Sequence, residues 1–100
     1  MNENKTTILI VDDDPSAREV LVSILEADGY QLILAENGHQ AIALATAVLP
    51  DVILLDVMMP GMDGFETCRR IRSEKSIAED PIIFLTALDD RQSLLTGLDV

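Results

Sequence analysis

Four short apolar runs punctuate the chain, and each precedes a stretch whose apolar residues recur at helical spacing. "ILIV" (8–11) leads into a stretch carrying Val20, Leu21, Ile24 and Leu25. "QLILA" (31–35) leads into "AIALATAVL" (41–49), and "DVILLD" (51–56) into Phe65, Cys68, Ile71 and Arg72. "PIIFLT" (81–86) leads into "LLTGL" (94–98). Runs of this length suit buried strands, and strands alternating with helices predict right-handed βαβ units around a parallel sheet. The strand runs are almost wholly apolar rather than alternating, as expected where helices cover both faces of the sheet. The pattern predicts a doubly wound α/β domain.

The punctuation agrees. Asp14 before Pro15 reads as an N-cap followed by the first helical position, where a missing N–H costs least. Asn37 with Gln40, and Asp63 with Glu66, fit the reciprocal capping-box pattern. Gly29 reads as a left-handed stop to the first helix, and Pro50 ends the second. No low-complexity segment, interdomain linker or repeat interrupts the 100 residues, a length that suits one domain with a single core.

Composition narrows the function classes. Eighteen acidic against seven basic residues give a net charge of −11. That balance disfavours direct binding to nucleic acid or to an anionic membrane, and favours cations and basic partner surfaces. The only basic cluster, Arg69, Arg70 and Arg72 with Lys75, reads as the solvated face of a helix. Cys68 is the single cysteine, so it forms no intrachain disulfide and reads as a packed thiol. The polar start "MNENKTT" and the lack of a run of about 20 apolar residues predict a cytoplasmic protein.

In an open α/β sheet, ligands bind beyond the carboxyl ends of the strands, near the point where strand order reverses. Polar residues gather at those ends: Asp12, Asp13 and Asp14 after the first strand, Asp56 at the third and Thr86 at the fourth. Asp51 lies at the opposite end of its strand, and Asp14 is assigned to the cap. Asp12, Asp13, Asp56 and Thr86 remain as the candidate site. Carboxylates about 5 Å apart repel by roughly 3 kcal/mol per pair at an effective dielectric of 20. Protonation, water or a cation must offset that cost. Oxygen ligands without nearby His or Cys suit a hard divalent ion, Mg²⁺ above all, and Mg²⁺ favours a phosphate oxygen as a further ligand.

The motifs "ILIVDDDPSARE", "PDVILLDVMMPGMDGFE" and "PIIFLTAL", in this order and spacing, closely resemble the receiver domain of two-component response regulators. The resemblance spans residues 1–100 and implies a flavodoxin-like sheet of strand order 2-1-3-4. It implies that Asp56 accepts a phosphoryl group from a sensor histidine kinase, a phosphotransfer protein or a small phosphodonor. Asp13, Asp56 and the backbone carbonyl of Met58 would ligate Mg²⁺, for which Mn²⁺ could substitute, with Asp12 acting largely through a metal-bound water. Thr86 would hydrogen-bond the phosphoryl oxygens, beside the small Ala87. Pro60 and Gly61 shape the loop, and His39 reads as an exposed first-turn helix residue rather than a phosphorelay histidine. Met58 and Leu88, two residues beyond Asp56 and Thr86, cannot orient a hydrolytic water, which implies a long-lived acyl phosphate.

The same resemblance implies a fifth strand, with a Lys at its end and an aromatic on it, and a fifth helix. The 100 residues stop at "LLTGLDV", within or just after the expected fourth helix, so the receiver domain reads as C-terminally incomplete. Its expected consequences are weakened phosphotransfer and a homodimer through the edge of strand four or through helix four. Two other readings compete with the phosphoacceptor switch. One is a Mg²⁺ phosphohydrolase with an Asp nucleophile, which needs an acid two residues on, where this chain has Met58. The other is a receiver-derived interaction module that folds without being phosphorylated.

Overall fold

A computed structural model describes residues 5–85. They form β1 (Thr7–Val11), α1 (Pro15–Ala27), β2 (Gln31–Ala35), α2 (Gly38–Val48), β3 (Val52–Asp56), α3 (Gly64–Arg72) and β4 (Ile82–Leu85). The four strands pair in parallel in the order β2-β1-β3-β4, the order expected of a flavodoxin-like sheet. Thr86 and the helical stretch expected at 94–98 lie outside the described residues.

Strand parity divides the sheet into two faces. Leu9, Val11, Ile53, Leu55 and Phe84 point to one, where they form the core with Ala41 and Ala45 of α2, Cys68 and Ile71 of α3, and Ile77. The two alanines, both fully buried, give α2 a small contact surface against the sheet. Phe65 of α3 meets Phe84 of β4 with ring centroids 5.1 Å apart. Cys68 is buried here, and burial pushes its thiol pKa up, which leaves it a packing group rather than a nucleophile. Ile8 and Ile10 point to the other face, where α1 packs on β1 and β2.

Helices therefore lie on both faces as expected, but the described residues cover the second face only in part. Leu34 of β2 is 43% exposed and Ile83 of β4 is 54% exposed. On α1, Leu21 and Leu25 are half-buried, whereas Val20 and Ile24 are 59% and 56% exposed. Helix α1 packs mainly on β1 and β2, and Leu21 and Leu25 are the more buried part of its apolar stripe.

The helix ends follow the sequence closely, with three refinements. Asp14 caps α1 by accepting from the Ser16 N–H at 3.0 Å, with Pro15 opening the helix. Gly29, at φ +90°, closes α1 in a Schellman motif: its N–H reaches Glu26 O and the Tyr30 N–H reaches Leu25 O. Asn37 and Asp63 cap α2 and α3 from the Gln40 and Glu66 N–H groups, both at 2.8 Å. The reciprocal halves of the two capping boxes differ from expectation. Gln40 Oε1 accepts from the Glu36 N–H, one residue earlier, and the Glu66 carboxylate turns outward to Arg69 and Arg70. Helix α2 is stopped by Leu49 itself, in the left-handed region at φ 57°, with Pro50 following. Arg69 and Arg70 lie on a solvated face as expected, but Arg72 donates to Ala78 O and Asp80 O and fastens the connection to β4.

Candidate functional site: an acidic cleft at the switch point

From β1 the chain runs to β2 on one side and then returns to β3 on the other, so strand order reverses between β1 and β3. Register places the acids there. Val11 pairs with Leu55, and one step further stand Asp12 and Asp56 on adjacent strands. They continue the parity of Ile10 and Leu54 and so rise on the same side of the sheet. Asp13 completes the group: Asp12, Asp13 and Asp56 each offer a carboxylate oxygen, all within 4.8 Å of one another. Two of the loop positions beyond the strands join them. Asp12, Asp13, Asp14, Ala17, Asp56, Met58 and Leu85 line an open cleft of about 360 Å³.

The three carboxylates occupy different environments. Asp12 is buried, Asp56 half-buried and Asp13 exposed. Asp12 Oδ1 accepts from the Asp14 N–H at 3.0 Å, its N–H donates to Ala35 O, and its carbonyl accepts from Arg18 Nη1 at 2.6 Å. Asp56 Oδ1 accepts from the Met58 N–H at 3.2 Å, while the Met58 side chain is 68% exposed. Burial first, then the Asp12 charge, raise the Asp56 pKa from an ordinary 3.8 to about 7. A hydrogen bond with Asp12 and the Asp13 charge act in the same direction, and the Met58 N–H opposes them.

The loop from β3 to α3 depends on two glycines. Gly61 sits at φ +78°, a conformation other residues rarely adopt. Gly64 lets the start of α3 lie directly on the end of β3: its N–H donates to Val57 O at 2.9 Å, and a Cβ there would come within 2.8 Å of Val57 Cα. The sequence signal for this second role was the Asp-Gly pair at the helix start. Arg18 carried no such signal, because its contact with the Asp12 carbonyl depends on how α1 sits on β1. Asp51 lies at the opposite pole, where its carboxylate accepts from the Thr7 N–H at 2.7 Å. Thr86, the remaining candidate, lies outside the described residues.

The donor set fits a hard divalent cation. It is oxygen only, contains no His or Cys, and sets three like charges at a spacing that a cation relieves.

Residues 8–100 match the family model for the response regulator receiver domain. The chain is a receiver domain of the response regulator family. It is 45% identical over 96 residues to the transcriptional regulatory protein ResD of Bacillus subtilis, covering 96% of this chain and 39% of ResD. Among solved structures, a putative response regulator from Chloroflexus aurantiacus superposes with a TM-score of 0.88 at 36% identity, covering 95% of this chain and 78% of that one. The signal receiver domain of a signal transduction histidine kinase from Syntrophus aciditrophicus gives 0.80 at 38% identity, covering 94% and 71%. This receiver domain spans between 20% and 42% of the length of the curated relatives compared with it. Receiver domains are signalling modules of two-component systems rather than turnover enzymes. No helix among the described residues is long and apolar enough to cross a membrane.

Proposed function

We propose that residues 1–100 act as a phosphoacceptor switch in which Asp56 takes a phosphoryl group from the phosphohistidine of a sensor histidine kinase or phosphotransfer protein. The convergence of Asp12, Asp13 and Asp56 at the switch point of the sheet carries this reading. A carboxylate oxygen of Asp56 forms the new bond to phosphorus as the bond from phosphorus to the histidine nitrogen breaks. The nitrogen departs with the bonding pair.

Asp12, Asp13, Asp56 and the backbone carbonyl of Met58 are the groups that would hold Mg²⁺, or Mn²⁺ in its place. When bound, the ion supplies positive charge beside the carboxylates and the transferring group. The chain's own residues do the rest. The Met58 N–H orients one oxygen of Asp56 and favours its ionised form. Asp12 and Asp13, at the end of the neighbouring strand, place beside it the negative field that selects a cation. Thr86, which directly follows β4 in the chain, is assigned the phosphoryl contact on the family resemblance.

Incubating the protein with acetyl phosphate and Mg²⁺, then measuring intact mass, tests the reading. The expected result is a gain of one phosphoryl group, located at Asp56 by peptide mapping and absent from Asp56→Asn. No gain in the wild type would overturn it and favour the interaction module.

A further inference from the structure

Arg18 lies near the start of α1, close to three aspartates, yet among the described residues the ion pairs are formed by Arg69 and Arg70 with Glu66. Its guanidinium instead donates to the carbonyl oxygen of Asp12 at 2.6 Å. We propose that Arg18 is a positioning residue that clamps the end of β1 and so presets the Asp12 and Asp13 carboxylates for a divalent cation. This inference rests on the cation reading of the acidic cleft.

Asp12 is held at three points, and each restrains a different atom. Its N–H donates to Ala35 O at 3.1 Å, its carbonyl accepts from Arg18, and its Oδ1 accepts from the Asp14 N–H at 3.0 Å. Strand pairing of β1 with both neighbours ends at Val11. The Asp12 carbonyl therefore belongs to a residue only 7% exposed and has left the sheet's own hydrogen-bond ladder. A charged, planar donor supplies the missing partner and fixes the peptide plane between Asp12 and Asp13. Because that peptide joins two residues of the acidic group, its orientation sets how both carboxylates meet Asp56. The guanidinium does so through a carbonyl and forms no ion pair with the carboxylates of the cleft.

The clamp and a simple charge effect predict opposite signs. A cation near the cleft repels Mg²⁺, so removing its charge alone would tighten binding. Removing a partner that orients metal ligands weakens binding, typically 10- to 100-fold.

Calorimetric titration of the 100-residue chain with Mg²⁺, repeated with Mn²⁺, separates them. Arg18→Met is expected to bind about tenfold more weakly. Arg18→Lys, which keeps a charged donor for the carbonyl, is expected to recover most of the loss. Arg69→Met, which removes an exposed arginine on α3, serves as the control for net charge and is expected to bind like the wild type. In the metal-free protein, hydrogen exchange of the Asp14 N–H is expected to accelerate in Arg18→Met relative to wild type. Binding by Arg18→Met that equals or exceeds the wild type overturns the proposal, and so does unchanged Asp14 exchange. A wild type that binds neither ion overturns the cation reading itself, and the exchange measurement still decides whether the clamp exists.

Discussion

Asp56 shows how much one residue's surroundings alter a group that looks ordinary in the sequence. Its carboxyl titrates near 3.8 in an unfolded chain and near 7 in the metal-free fold. Between those values the folded state keeps a proton that the unfolded state has released. The stability tied to that proton is complete below about pH 4 and is lost as pH rises through 7. Urea unfolding in the presence of a chelator measures this. The wild type is expected to lose on the order of 1–2 kcal/mol relative to Asp56→Asn between pH 4.5 and 8, a figure discounted because water reaches this half-buried group. Saturating Mg²⁺ is expected to reduce the loss, since a cation favours the ionised form. Parallel pH profiles for the two proteins would show that Asp56 is not strained by its neighbours.

At the scale of elements, the site is made by what happens just beyond the strands. Each β-to-α connection must turn the chain while presenting polar groups to the cleft, and the caps at Asp14, Asn37 and Asp63 do the turning. The loop from β3 to α3 returns onto its own strand, and the start of α3 lies on the backbone of Asp56 and Val57. Gly64→Ala forces a methyl group into that contact. It is expected to destabilise the fold by roughly 2–3 kcal/mol, measured by denaturant midpoint, because backbone on both sides cannot repack as side chains do. A loss within a few tenths of a kcal/mol would mean that the loop yields easily. The sequence marked this helix start through its Asp-Gly pair. It marked the caps correctly too, since an N-cap depends on residues two or three apart. It missed where Gln40 and Glu66 send their side chains, because a long side chain chooses among several partners within reach.

At the scale of the whole molecule, two opposing features bear on whether copies of the 100-residue chain associate. Among the described strands β4 is outermost at one edge, its Ile83 is largely exposed, as are Val20 and Ile24 on α1, and an apolar strand at a sheet edge invites pairing. Against this stands a net charge of −11, which makes two copies repel. Salt screens the second without weakening the first. Sedimentation velocity at micromolar concentration is therefore expected to show self-association that grows with ionic strength and falls in Ile83→Lys. A single monomeric species at all salt concentrations would mean that the exposed edge is not enough to join two copies.

The sequence by itself determined the alternation of strands and helices, the caps, the acids at the strand ends and the family motifs. All of these are written in short-range periodicity, or in residue types whose place relative to a strand end is local. The register that sets Ile8 opposite Val52 then brings Asp12 beside Asp56. Only the tertiary structure decided how far the described elements cover each face of the sheet, that Arg18 serves a carbonyl rather than a carboxylate, and that burial and Asp12 push the Asp56 carboxyl up to about 7. Each of these depends on how separate elements pack, and on how much water that packing leaves around a charge. Neither quantity is carried by any local stretch of the chain.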